Sequence, residues 1–218
     1  MLRLAAVLVT PDLGGGAPPG VDPGEFSRAL AEDTYEIVAG LDLVEPVIVG
    51  AGVEGLHDIA WPGTRVVELP HGATLAEVFA ALRPYGEQAV VISGDAPDLP
   101  PLLIGKLFRE LGRSALAVTP AEDGTAVAVA AHLPYPDWAT AGLDTPGVVA
   151  RLRAEAPGPR MVATALGWHR LRTPPTSSAW TPAWRAGTTP APCSAPDQPA
   201  GGTDNSARTA RWSVPGMS

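Results

Sequence analysis

Two aspartates far apart in this chain carry the chemistry that can be read from its sequence. Asp95 follows a short β-branched run, Val90-Val91-Ile92-Ser93-Gly94, and precedes Ala96-Pro97-Asp98-Leu99-Pro100-Pro101. A run of this kind reads as a buried strand, and the prolines and glycine end it. In open α/β sheets ligands sit in the crevice beyond the carboxyl ends of the strands, so the Asp95 carboxylate is delivered to that crevice. Gly94 has no Cβ, which predicts close approach of a ligand to the backbone there. Asp144, in Gly142-Leu143-Asp144-Thr145-Pro146-Gly147, supplies a second carboxylate from a distant loop. One or two carboxylates with water and substrate phosphates suit Mg²⁺, so Asp95 and Asp144 are the expected metal ligands, for Mg²⁺ or Mn²⁺. The plainer alternatives are a turn aspartate for Asp95 and a cap or turn acid for Asp144.

Asp98 precedes Leu99-Pro100 at the mouth of a helix, which favours an N-cap role. Asp123 lies in the turn Pro120-Ala121-Glu122-Asp123-Gly124. Both aspartates fall on loops near the expected carboxyl edge, and position alone makes them the candidates for a catalytic base. Gly50-Ala51-Gly52-Val53-Glu54-Gly55 matches the dinucleotide-binding glycine pattern. A helix must begin there at once to present its N-terminus to a pyrophosphate, yet Trp61-Pro62-Gly63 follows too soon. A glycine turn is the expectation, and a nicotinamide-dependent oxidoreductase would rest on this pattern alone. The four histidines, 57, 71, 132 and 169, show no ligand spacing, and solvated or capping roles are expected for them.

The elements that must position these residues alternate. Strands are predicted at Arg3–Thr10, Pro46–Val49, Arg65–Leu69, Ala89–Ser93, Ala115–Thr119 and Ala126–Ala130. Asp22-Pro23-Gly24-Glu25 has the form of a capping box with proline at the first helical position, and Phe26, Leu30, Ile37 and Leu41 supply the apolar face. Thr74-Leu75-Ala76-Glu77 opens a second helix faced by Leu75, Val78, Phe79 and Leu82. Leu103, Leu107, Phe108 and Leu111 mark a third, and Thr145-Pro146 opens a fourth with Val148, Val149 and Leu152 inward. This alternation predicts a mostly parallel mixed sheet covered on both faces, a three-layer α/β/α sandwich.

The chain has 218 residues, 45% of them apolar, and a formal net charge of −8. It shows no basic stripe for nucleic acid and no run long enough to span a bilayer. Cys193 is the sole cysteine, which rules out an intrachain disulfide and points to a reducing, cytoplasmic compartment. The apolar stretch Leu4–Val9 is too short for a signal peptide. From Thr173 the composition turns to Pro, Ser, Thr, Gly and Ala without a hydrophobic period. A domain over 1–172 and a disordered tail over 173–218 are therefore expected, with Trp180, Trp184 and Trp212 in the tail.

The segment from Val90 to Leu111, the turn Pro120-Ala121-Glu122-Asp123-Gly124 and Leu143-Asp144-Thr145-Pro146 occur in an order that resembles the GT-A, or nucleotide-diphospho-sugar transferase, superfamily. The nearest likeness is to a small bacterial glycosyltransferase-like family with members linked to arsenosugar biosynthesis. Molybdenum-cofactor guanylyltransferase-like proteins are also similar. The resemblance covers about residues 1–172 and implies transfer of a glycosyl or nucleotidyl group from a nucleotide or nucleotide-sugar donor to an acceptor. It implies that Asp95 is a metal or diphosphate ligand and Asp144 a second metal ligand. The loop after the first strand contacts the nucleotide in such families. Here it is Pro11-Asp12-Leu13-Gly14-Gly15-Gly16-Ala17-Pro18-Pro19-Gly20, without a basic residue. The N–H groups of Gly14, Gly15 and Gly16 are left to cradle an anion. Thr125-Ala126 and Gly147-Val148 stand where the related patterns carry Gly-Tyr and acidic residues. The alternative implied by these departures is a degenerate relative that binds a nucleotide or a protein partner.

Overall fold

The central strands of the sheet are apolar between their terminal residues because both of their faces are covered. A computed structural model describes residues 2–173. The tail expected over 173–218, its three tryptophans and Cys193 lie outside the described residues, apart from Thr173 itself. Seven strands form one sheet: β1 (Arg3–Val9), β2 (Glu45–Ala51), β3 (Arg65–Leu69), β4 (Gln88–Ser93), β5 (Leu116–Pro120), β6 (Ala126–His132) and β7 (Val162–Thr164). Their spatial order is β3-β2-β1-β4-β6-β5-β7. β6 is antiparallel to both of its neighbours, and the other pairings are parallel. This is the mixed, mostly parallel sheet that the alternation of elements predicts.

Four α-helices cover it: α1 (Pro23–Ala39), α2 (Leu75–Leu82), α3 (Pro101–Glu110) and α4 (Val148–Glu155). Helices α1 and α3 pack on one face with Val7, Val90 and Ile92, while α2 and α4 pack on the other with Ala6, Ala89 and Val91. Successive strand residues thus feed opposite cores, as the period of two requires. Each fully buried Leu or Phe contributes about 1.5–3 kcal/mol. All four apolar residues predicted for α2 are buried, as are the four predicted for α3 and its C-terminal flank.

Helix α1 differs from its expected face. Phe26 and Ile37 are only partly covered, and the buried stripe is Leu30, Ala31, Thr34, Tyr35 and Val38. A polar residue belongs to that stripe because the Thr34 hydroxyl donates to Leu30 O at 2.8 Å and also lies 3.0 Å from Gly94 O, linking α1 to the loop after β4. The Thr74–Glu77 capping box is complete. At Asp22 only half of one forms: its side chain accepts from Glu25 N at 3.0 Å. Gly52 and Gly55 adopt φ of 74° and 75° and are followed by a single short turn, Leu56–Asp58, so the glycine pattern after β2 is a turn. Among the described residues no helix is long and apolar enough to cross a membrane.

Candidate functional site

Asp95 leaves the carboxyl end of β4 completely buried. Its charge is met by a segment that sequence periodicity does not reveal. Strand β7 runs parallel to β5, and the chain continues past it: Ala165 N donates to Val118 O (2.8 Å), Trp168 N to Pro120 O (2.9 Å) and Leu171 N to Asp95 O (2.9 Å). Residues 165–172 therefore cross the carboxyl edge from β5 to β4. Leu171 is buried, and the arginines either side of it turn to the opposite side, as extended backbone dictates.

Arg170 lies between the two predicted aspartates. Its Nε donates to Asp95 Oδ1 at 2.7 Å, and its Nη1 donates to Asp144 Oδ1 at 2.7 Å and Ala126 O at 3.1 Å. Nη2 donates to the Ser93 hydroxyl. Arg172 adds a second guanidinium, with Nη1 2.9 Å from Asp144 Oδ1 and Nε 3.3 Å from Asp95 Oδ2. The latter oxygen accepts no hydrogen bond, so it meets Arg172 through charge alone. Asp144 reaches the cluster because Ala126 N donates to Leu143 O (2.7 Å) and Val148 N to Gly124 O (3.2 Å), fastening the loop before α4 to the start of β6.

Burial alone would lower the Arg170 pKa, but the Asp95 and Asp144 charges outweigh it and raise it above the ordinary value. The guanidinium therefore stays charged, and a buried pair of this kind is sustained by filling its donors and acceptors.

The sequence brings Asp95 and Asp144 together, but on a guanidinium. A divalent ion such as Mg²⁺ needs carboxylate oxygens at about 2.0–2.1 Å. Arg170 occupies the approach to Oδ1 of both aspartates at 2.7 Å. Among the described residues no group of three His, Cys, Asp or Glu side chains could hold a metal. The expected Mg²⁺ or Mn²⁺ between these aspartates does not fit this donor set. Two cationic side chains already balance the two anions through Asp95 and the Oδ1 atom of Asp144.

Asp98 is not a helix cap. Pro100 occupies the N-cap position of α3 without a side-chain hydrogen bond. Asp98 instead accepts from Trp168 Nε1 at 3.1 Å, and its second oxygen lies 2.8 Å from His169 Nε2. The indole and imidazole stack at 5.0 Å between ring centroids. Asp123 accepts from the backbone N–H of Thr125 at 2.9 Å and from its hydroxyl, closing the β5–β6 turn. Partial burial would raise its pKa, yet the Thr125 hydrogen bonds, with the charges of Arg170 and Arg172, hold it below the usual carboxylate value. Asp123, His169 and Arg172 line one hollow of about 280 Å³.

The glycine loop forms a short 3₁₀ turn, Pro11–Gly16. Its glycines serve different ends. A Cβ on Gly14 would stand 2.3 Å from Pro23 O and one on Gly16 2.2 Å from Leu171 O, whereas Gly15 meets only Arg172 O at 3.6 Å. A Cβ on Gly94 would meet the Leu13 side chain at 2.8 Å and Leu8 O at 3.1 Å. Gly14, Gly16 and Gly94 are therefore small because the protein's own chain approaches them. The expected ligand approach at Gly94 is taken by Leu13. The open space lies on the other side of the loop, in a crevice of about 670 Å³. It is lined by Val9, Asp12, Gly14 and Gly15 after β1, Ser27 and Arg28 on α1, and Val53, Leu56 and Ile59 after β2.

No protein-family model matches the chain, and no curated protein matches its sequence. Solved structures do match its fold. A candidate nucleotide-diphospho-sugar transferase from Desulfovibrio desulfuricans G20 superposes with a TM-score of 0.57 at 18% identity, covering 79% of this chain and 84% of that one. The fold is that of the nucleotide-diphospho-sugar transferases. 4-Diphosphocytidyl-2C-methyl-D-erythritol synthase from Anaerococcus prevotii DSM 20548 gives 0.57 at 12% identity, over 80% of this chain and 94% of that one. Rv0371c of Mycobacterium tuberculosis H37Rv, solved in complex with manganese, gives 0.56 at 16% identity, over 82% and 97%.

Proposed function

We propose that this protein holds a nucleotide donor in the crevice after β1 and β2 and transfers a glycosyl or nucleotidyl group from it to an acceptor. The observation that carries this reading is the crevice itself, about 670 Å³ at the carboxyl ends of β1 and β2 in a nucleotide-diphospho-sugar transferase fold. Its size falls in the range of small-molecule sites. Val9, Val53, Leu56 and Ile59 offer an apolar bed for a base. At Gly15 the crevice lining lies beside the Arg172 backbone. The names of the similar structures point to cytidylyl and sugar-nucleotide chemistry, which supports the donor class.

A second reading, binding without transfer, is favoured by one observation: Asp95 is sealed from solvent by the chain's own arginines.

Calorimetry with UDP, GDP and CMP, followed by assay of nucleotide release from the corresponding sugars, separates the two. Binding should occur and Ser27→Trp, which fills the crevice, should weaken it about tenfold or more. Binding with no release from any sugar supports the second reading, and no binding by any nucleotide overturns both.

A further inference from the structure

We propose that the Asp95–Asp144 pair is a guanidinium site in place of a metal site: Arg170 locks the two carboxylates together and Arg172 meets the phosphates of the ligand, so that binding needs no divalent cation. The phosphate half of this inference rests on the nucleotide-binding reading above, and the cation half stands on the geometry alone.

Two bare aspartates at the carboxyl edge of the sheet would present two negative charges to an approaching phosphate. Arg170 and Arg172 cancel both, turning a repelling pair into a neutral platform. The two arginines are not equivalent. Arg170 is 3% exposed, and its Nε, Nη1 and Nη2 all donate to partners within the protein, which leaves it a positioning residue. Arg172 is 24% exposed and is held by the aspartates through its Nε and Nη1. It also lines the 280 Å³ hollow, and its backbone abuts Gly15 and Gly16. Gly15 lines the crevice and its neighbour is Arg172 O, which makes the partly exposed Arg172 guanidinium the candidate phosphate partner, since a guanidinium binds phosphate through directed, charge-assisted hydrogen bonds.

Three measurements on the full chain test this. Wild-type protein titrated with Mn²⁺ alone, with free Mn²⁺ followed by electron spin resonance, should show no bound ion up to about 1 mM. UDP, GDP and CMP isotherms recorded in EDTA and in Mn²⁺ should agree within about twofold, and Arg172→Gln should weaken them about tenfold in EDTA. Arg170→Met leaves the two carboxylates with Arg172 as their one cation, and should gain a Mn²⁺ site that raises its melting temperature where wild type shows no shift. If Arg170→Met does not fold, the wild-type arms decide. A stoichiometric Mn²⁺ site in wild type that is lost in Asp144→Asn overturns the proposal, as does nucleotide binding that vanishes in EDTA or ignores Arg172→Gln. Absence of nucleotide binding under every condition overturns the phosphate half together with the nucleotide-binding reading. The Mn²⁺ arm then still decides the guanidinium site.

Discussion

The carboxyl edge of the sheet is finished in two different ways. At the β1–β2 end it is open, lined by Val9, Val53, Leu56 and Ile59 with Arg28 as its one basic lining residue, and that arginine is turned to the exposed Asp58 at 3.4 Å. At the β4–β6 end it is closed by residues 165–172, which bury Asp95 under Arg170 and Leu171. The open end is suited to admit a flat, partly apolar molecule, although Val9, Leu56 and Ile59 also belong to the buried core. The closed end is built of long-range charge and is bound up with stability. Open space and closure by charge are thus divided between neighbouring loops of one edge.

The largest effect should come from breaking the closed end. Arg170→Ala leaves buried Asp95 without its main partner, and loss of one member of a buried pair costs about 3–5 kcal/mol. Urea unfolding should show this, while Ser27→Trp at the open end should stay within about 0.5 kcal/mol of wild type. Equal losses from the two variants would erase the distinction between the ends.

A smaller effect is expected where the two regions touch. The Cβ of Gly16→Ala would lie 2.2 Å from Leu171 O, and that of Gly15→Ala 3.6 Å from Arg172 O. Overpacking of the first kind costs about 1–3 kcal/mol, while the second is ordinary contact. Melting temperatures of the two variants should therefore separate clearly, although the residues are adjacent.

The sequence made the open and closed ends unequally legible. β4 and Asp95 could be read because an apolar run, a glycine and prolines all lie within twelve residues. Helices α2 and α3 could be read because their apolar faces repeat locally. Arg170 could not, because its partners lie 75 and 26 residues away and β7 is only three residues long. The available signal was the alternation Arg170-Leu171-Arg172, which in extended backbone places both arginines on one side and the leucine on the other. Asp98 misled for a related reason. Its place before a helix suggests a cap, yet Pro100 holds that position and the partners of Asp98 arrive from Trp168 and His169. Gly94 misled because smallness was assigned to a ligand when Leu13 from the neighbouring loop fills the space.

Acid should loosen the closed end gradually. The folded pKa of Asp123 lies below its ordinary value. Its contribution is thus fully present above the unfolded carboxylate pKa and is lost as pH falls through the lower, folded one. The window opens below about pH 4. Asp123 is largely solvated, so the effect is small: Asp123→Asn should flatten only the lowest part of the stability-versus-pH curve. An unchanged acid limb would remove Asp123 from the account.

The smallest effect, none, is expected from ending the chain at Arg172, the boundary that composition suggests for the folded domain. Its melting temperature should match that of the full chain, and a large drop would move that boundary.

The Arg170–Asp95 contact spans 75 positions and joins the middle of the chain to the last stretch of the fold. During synthesis β1, β2, β3 and β4 emerge well before the arginine that neutralises Asp95. The nascent sheet must carry an unmatched carboxylate at its edge until residue 170 arrives. Long-range closures of this kind slow folding. A polypeptide interrupted anywhere before Arg170 therefore lacks the guanidinium that pairs with Asp95 in the finished fold.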